Sequence, residues 1–185
     1  MRKIIVMNRI SLDGFFDDPK GTTDWFIRDN DVDKAVHEMV PPTDTLLLGR
    51  ISYQHMEQFW PTVNESFPPE VQTMAKEVNG MPKWVFSRTL KQLTWENSKL
   101  LTGDLIPEIK KIKQGQGDGL LMFGSGTLVQ PLTEAGLIDD YVFILTPTVL
   151  GKGKPQFKQD HKVDLEMVET RTFPSGNVVI HYKRK

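Results

Sequence analysis

Gly124-Ser125-Gly126-Thr127 is the stretch whose residue types and spacing could do chemistry. The apolar run Leu120 to Phe123 before it reads as a buried strand. Leu128, Val129, Leu132 and Ala135 after it recur as one face of a helix that stops at Gly136. A strand, a glycine turn and a helix start make a seat for phosphate. The first N–H groups of a helix have no partner inside it, and its dipole is positive there. Gly124 and Gly126 allow close backbone approach, and Ser125 and Thr127 add hydroxyl donors. Taken alone, the stretch also reads as an ordinary strand-to-helix turn.

Two more segments repeat the pattern. Thr45-Leu46-Leu47-Leu48 runs into Gly49-Arg50-Ile51-Ser52, which opens a short helix through about Phe59. There a dipole, a guanidinium and a hydroxyl could hold an anion together. Lys83-Trp84-Val85-Phe86 runs into Ser87-Arg88-Thr89. By itself Arg50 reads as a surface salt bridge.

The elements that must position these residues follow from periodicity. Lys3 to Ile10 reads as a central strand, because Ile4-Ile5-Val6-Met7 is continuously apolar. Ser11 to Gly21 is a turn-rich loop carrying Phe15 and Phe16 with an exposed look. Asp31 to Val40 is a helix burying Val32, Ala35, Val36, Met39 and Val40. Glu70 to Asn79 is another, with Val71, Met74, Ala75 and Val78 inward. Leu93 to Glu96 reads as a short strand and Asp104 to Gln114 as a helix. Asp140 to Pro147, Val163 to Thr172 and Asn177 to Lys183 read as strands, the last two joined by a hairpin turn at Pro174-Ser175-Gly176.

Strand–helix alternation followed by a hairpin implies an α/β fold: a mostly parallel central sheet, helices on both faces and an antiparallel C-terminal edge. Such sheets bind ligands outside the carboxyl ends of their strands. The three glycine- or serine-bearing strand ends then face one edge. Two arginines and two helix starts suit a ligand with several phosphates, such as a dinucleotide carrying a 2′-phosphate.

Composition narrows the classes. The 185 residues suit one domain spanning 1–185, with no repeat or linker dividing it. A net charge of −1 gives no bulk attraction to nucleic acid or to a membrane surface. No apolar stretch approaches the roughly 20 residues of a membrane span, and the apolar run at Met1 to Met7 is too short for a signal peptide. The chain has no cysteine, which excludes disulfides, thiolate metal sites and cysteine nucleophiles and fits a cytoplasmic protein. His37, His55, His161 and His181 show no paired ligand spacing, so no metal site is expected. The first strand lacks a G-x-G-x-x-G sequel, and neither Gly49-Arg50 nor Gly151-Lys152 has P-loop spacing.

Read in order, Ser11-Leu12-Asp13-Gly14, Leu47 to Tyr53, Phe59-Trp60-Pro61, Phe86 to Thr89, Gly124 to Leu128, Gly136 to Asp140 and Pro147 to Gly153 resemble the dihydrofolate reductase superfamily. The closer match is its bacterial branch related to the C-terminal reductase domain of the riboflavin-biosynthesis protein RibD. The resemblance implies a three-layer α/β/α dihydrofolate-reductase-like fold, NADPH as hydride donor, a small heterocyclic or carbonyl substrate and a homodimer. It implies that Gly49, Arg50 and Ser52 take phosphates, that Ser87 and Arg88 meet the adenosine 2′-phosphate, and that Gly124, Ser125, Gly126, Thr127 and Leu128 meet the pyrophosphate. The Ser11 to Phe16 loop would lie over the nicotinamide as a mobile lid.

Asp13 on that loop is the candidate proton donor or substrate contact; a turn-forming Asp before Gly14 is the alternative. Trp25 is a candidate wall of the substrate pocket, or a core residue. Folate reductases carry a carboxylate on the first helix. Asp31 and Asp33 stand near that helix start outside a clear motif, and could simply complement its dipole. Lys152 and Lys154 are the remaining basic residues that could meet a ribose phosphate. The expected activity resembles that of 5-amino-6-(5-phosphoribosylamino)uracil reductase. A nucleotide-binding module without turnover and a folate or pterin reductase are the alternatives.

Overall fold

The computed structural model describes residues 1–185. Its elements are β1 (Ile4–Ser11), β2 (Phe15–Asp17), α1 (Asn30–Met39), β3 (Thr43–Gly49), α2 (Arg50–Phe59), α3 (Pro69–Gly80), β4 (Lys83–Phe86) and β5 (Ser98–Leu101). Then follow α4 (Leu105–Lys113), β6 (Gly119–Phe123), α5 (Gly126–Glu134), β7 (Asp140–Thr146), β8 (Lys154–Pro155), β9 (Leu165–Thr172) and β10 (Val178–Arg184). Eight strands form one sheet in the order β5-β4-β3-β6-β1-β7-β10-β9. All neighbours from β5 to β7 are parallel; β10 and β9 close the far edge antiparallel.

The central strands are apolar throughout because both faces are covered. Ile4, Val6, Leu47, Leu120 and Met122 meet Ile109 of α4 and Leu128, Val129 and Leu132 of α5. On the other face Ile5, Val142 and Val179 pack against Val32, Val36 and Met39 of α1. Leu46, Leu48 and Val85 meet Tyr53 of α2 and Val78 of α3. Three layers result. Asp29 starts α1 by accepting from the Asp31 N–H at 3.0 Å, a side-chain cap of the ordinary kind. No helix is long and apolar enough to cross a membrane.

Three expectations change. Leu93 to Glu96 is not a strand: the Tyr53 hydroxyl accepts from the N–H groups of Thr94 (3.0 Å) and Trp95 (2.9 Å), so this backbone is tied to α2. The strand in this region is β5, whose Ser-Lys-Leu-Leu sequence carries little β signal. Met74 of α3 points outward, 41% exposed, leaving Ala75 and Val78 as the buried pair. The Ser11 to Gly21 loop contains β2, which pairs antiparallel with β8.

Lys83 begins β4 fully buried. Its ammonium donates to the carbonyl oxygens of Asn79 (2.8 Å), Met81 (2.8 Å) and Glu96 (3.2 Å), and lies 4.4 Å from the centre of the Trp95 ring. These contacts close the end of α3. Burial nevertheless pushes Lys83 down from 10.5 to about 8. Between those values the unfolded chain binds the proton that the native state releases, so stability rises with pH across the window. Relative to Lys83→Met, wild-type stability should rise from pH 8 to pH 10.5, by well under the roughly 3 kcal/mol of the full shift, because the three carbonyls and the Trp95 ring favour the charged ammonium. Urea unfolding of both proteins at several pH values checks the slope.

Candidate functional site

Parallel pairing brings the carboxyl ends of β4, β3, β6 and β1 to one edge. Two helices begin there side by side, α2 after β3 and α5 after β6, and neither start has a side-chain cap. Their first N–H groups therefore face outward without a partner in the helix.

The two starts are joined by hydrogen bonds. The Gly49 N–H donates to Ser125 Oγ at 3.0 Å, the Ser125 hydroxyl donates to Ser52 Oγ at 2.8 Å, and the Ser125 N–H donates to Ser52 Oγ at 3.0 Å. Gly49 lies against the α5 start at ordinary contact distance. A Cβ there would lie 3.4 Å from Thr127 Oγ1 and 3.6 Å from Leu128 Cγ. Gly124 and Ser125 are both left-handed, with φ of 58° and 54°. Ser125 accepts a conformation that disfavours a side chain because its hydroxyl and N–H are both fixed by α2.

These bonds sort the candidate residues. Ser125 is buried and its hydroxyl is taken. Leu128 lies in the core and its N–H donates to Ser125 O at 2.7 Å, so it has neither a side chain nor an N–H to offer a ligand. Ser87 Oγ accepts from the N–H groups of Thr89 (3.2 Å) and Leu90 (3.0 Å) and shapes a turn. What remains open are the Gly126 and Thr127 N–H groups, the Thr127 hydroxyl and the proton of Ser52, whose oxygen already accepts twice. Arg50 and Arg88 stand exposed beside them. Arg50 donates to Gln54 at 3.0 Å and Arg88 to Asp104 at 2.8 Å. Surface contacts of this kind contribute about 0–1 kcal/mol and are readily exchanged.

On the β1 side, Asn8 lies one residue beyond the last β1–β6 pair, Met7 with Phe123. Its side chain continues the ladder: Oδ1 accepts from the Gly124 N–H at 2.5 Å, and Nδ2 donates to Gln156 Oε1 at 2.8 Å. Neither residue was identified from the sequence. Asn8 carried a signal, a polar residue following a continuous apolar strand; Gln156 carried none.

The Ser11 loop is held down. Asp13 accepts from the Ser11 hydroxyl (2.6 Å) and from the N–H groups of Leu150 (3.1 Å) and Gly151 (2.7 Å). These bonds, led by Ser11, lower its pKa below the usual 3.8. Asp13 is thus a carboxylate clamp that joins the Ser11 loop to the Leu150–Gly151 segment. Phe15 and Phe16 are half-buried rather than exposed. The Phe16 ring covers Gly126, where a Cβ would lie 2.8 Å from two ring carbons. Lys154 pairs with Asp17 and so ties β8 to β2; Lys152 lines a shallow depression of about 340 Å³ with Asp18, Thr22, Trp25 and Leu150. Trp25 thus stands in a wall between two loops. A narrower recess, lined by Thr133, Tyr141, Phe157 and His161, lies at the opposite edge, where β7 begins. Asp31 is exposed and pairs with Lys34; Asp33 lies 3.9 Å from Arg9.

The chain that builds this edge matches a known family. The profile of the RibD C-terminal domain matches residues 2–179. The chain belongs to the RibD C-terminal domain family. It is 34% identical over 183 residues to the uncharacterized protein YyaP of Bacillus subtilis, covering 98% of this chain and 94% of that one. The fold is similar to that of a protein of Shewanella sp. PV-4 provisionally described as a riboflavin biosynthesis protein, with a TM-score of 0.74, 24% identity and 99% of both chains covered. It is also similar to dihydrofolate reductase from Enterococcus faecalis, solved with NADP(H), with a TM-score of 0.64 and 14% identity over 99% of this chain and 96% of that one. These likenesses show the dihydrofolate-reductase-like α/β fold.

Within this RibD C-terminal domain, Gly126→Ala should push Phe16 off the helix start. Overpacking costs roughly 1–3 kcal/mol. Amide exchange at Phe15 and Gln156, whose N–H groups hold the loop, should quicken several-fold or more, with Ile5 in the core unchanged. Hydrogen-exchange NMR reads both.

Proposed function

We propose that this protein is an NADPH-dependent reductase that delivers hydride to a small heterocyclic or carbonyl substrate, in the manner of 5-amino-6-(5-phosphoribosylamino)uracil reductase. The observation that carries the reading is the pair of uncapped helix starts joined by Gly49, Ser125 and Ser52, with Arg50 and Arg88 on the adjoining strand ends. The residues fit the group. The glycines leave backbone open, the unpartnered N–H groups and dipoles favour pyrophosphate, and a guanidinium suits the 2′-phosphate.

The chain's own residues divide the work. Gly126, Thr127 and Ser52 donate to the pyrophosphate. Arg50 and Arg88 hold the 2′-phosphate, leaving Gln54 and Asp104. The ribbon of β2 and β8 covers the β6–α5 turn and excludes water from the nicotinamide end. Trp25 walls the substrate side. NADPH, when bound, supplies the hydride. Two family resemblances support the assignment: the RibD C-terminal domain, and a dihydrofolate reductase fold solved with NADP(H). The expected homodimer would use the outer strand β9, where Met167 is 62% and Val168 50% exposed.

Tryptophan-fluorescence titration should give NADPH the tighter binding over NADH. Charge-assisted hydrogen bonds contribute about 1.5–3 kcal/mol, so Arg50→Ala or Arg88→Ala should reduce that preference roughly tenfold or more. Equal affinity for both nucleotides in the wild type would refute the phosphate assignment. Binding without any substrate-dependent loss of NADPH absorbance across pyrimidine and carbonyl candidates would instead favour a nucleotide-binding module.

A further inference from the structure

One buried amide near this edge lacks an acceptor. Gln156 follows β8 and is 1% exposed. Its backbone N–H donates to Gly14 O at 2.9 Å and its Oε1 accepts from Asn8 Nδ2 at 2.8 Å. Its Nε2 has no partner. An amide can often be turned over to mend such a mismatch. Here the backbone prevents it. The Gly124 N–H can only donate, so Asn8 must present Oδ1 to it. Asn8 Nδ2 then faces Gln156, which must answer with Oε1. Both N–H bonds of Gln156 Nε2 are left over, and a buried donor in that state is costly until an acceptor arrives.

The order of the strands indicates which acceptor. Arg88 ends β4, Arg50 follows β3, the α5 start follows β6, and Asn8 with Gln156 stands at β1. Neighbouring strands lie about 4.8 Å apart. The three steps from β4 to β1 therefore span roughly 14 Å, a length suited to a dinucleotide laid along the edge. With the 2′-phosphate at the arginines and the pyrophosphate at the helix starts, the nicotinamide falls beside β1. The charges agree. Arg50 and Arg88 are two and three strands away, Lys154 is paired with Asp17, and Arg9, next to Asn8, is committed to Ile27 O and Asn177 Oδ1. A phosphate beside Gln156 would lack a counter-charge, whereas a neutral carbonyl oxygen matches a neutral amide donor.

Resting on the dinucleotide reading above, we propose that Gln156 Nε2 donates to the carboxamide oxygen of the nicotinamide ring. Gln156 is then the residue that orients the ring, and through Asn8 it couples that ring to the Gly124 turn beneath the pyrophosphate.

Calorimetric titration of wild type, Gln156→Met and Gln156→Glu with NADPH and with 2′,5′-ADP, which keeps the 2′-phosphate and the adenosine-side phosphate but lacks the nicotinamide half, tests this. Gln156→Met should weaken NADPH about three- to tenfold, in line with loss of one neutral hydrogen bond, and leave 2′,5′-ADP within twofold. Gln156→Glu keeps an oxygen for Asn8 and removes the donor, so it should show the same selective loss. Melting temperatures without ligand report any general damage. Equal losses for both ligands, or unchanged NADPH binding in the variants, would overturn the role of Gln156 and leave the dinucleotide reading standing. A wild type that binds 2′,5′-ADP but gains nothing from the nicotinamide half would also overturn it. A wild type that binds neither ligand would overturn both.

Discussion

Parallel strands must all end on the same edge, and in this chain that constraint sets two helix starts against each other. The α2 and α5 starts lie close enough for direct contact, and Ser125 joins them, accepting from the Gly49 N–H and donating to Ser52 with its hydroxyl and its N–H. Left-handed φ at a serine costs of order 1–3 kcal/mol; three hydrogen bonds at about 1 kcal/mol each offset it. The bonds occupy Ser125, one of the two hydroxyls of this turn that the sequence offers as ligand donors. They leave the adjacent backbone N–H groups of Gly126 and Thr127 open, held in a fixed position.

The Ser11 loop is the second structural commitment. Asp13 carries out the turn-forming role and extends it to another segment, because its carboxylate also holds the Leu150 and Gly151 N–H groups. The loop after β1 and the loop after β7 are therefore one unit, reinforced by the β2–β8 ribbon and the Lys154–Asp17 pair. Any movement that uncovers Gly126 must carry both loops. The same three hydrogen bonds favour the ionised form of Asp13, which suits its part as a clamp between the two loops.

Buried polar groups concentrate where the fold must join distant pieces. Arg9 donates to Ile27 O and Asn177 Oδ1, drawing the segment before α1 and the hairpin turn to the end of β1. Asp140 faces His181 at 2.8 Å across the β7–β10 pair. Each of these is partnered. Trp25 Nε1, Thr146 Oγ1 and Gln156 Nε2 are the buried polar atoms around the covered edge that are not. Buried polar atoms in a packed protein are nearly always hydrogen-bonded, so these three stand out from the rest of the interior.

By itself the sequence determined the layer order, the parallel core and the position of the antiparallel edge. Continuous apolar runs at Ile4 to Met7, Leu46 to Leu48 and Val142 to Leu145 can be satisfied only by strands covered on both faces. Glycines at the strand ends marked the helix starts for the same local reason. Leu93 to Glu96 misled because its alternation is real, but its N–H groups bond to the Tyr53 hydroxyl from another element. The uses of Ser125, Leu128, Ser87 and Asp13 were likewise undecided, since a hydroxyl or carboxylate reads the same whether it meets a ligand or a neighbouring backbone. Only the tertiary structure chose between those partners. It alone revealed Asn8 and Gln156, separated by 148 positions, as one unit: their hydrogen bond depends on two loops meeting over the sheet, and no local pattern of residues encodes that meeting.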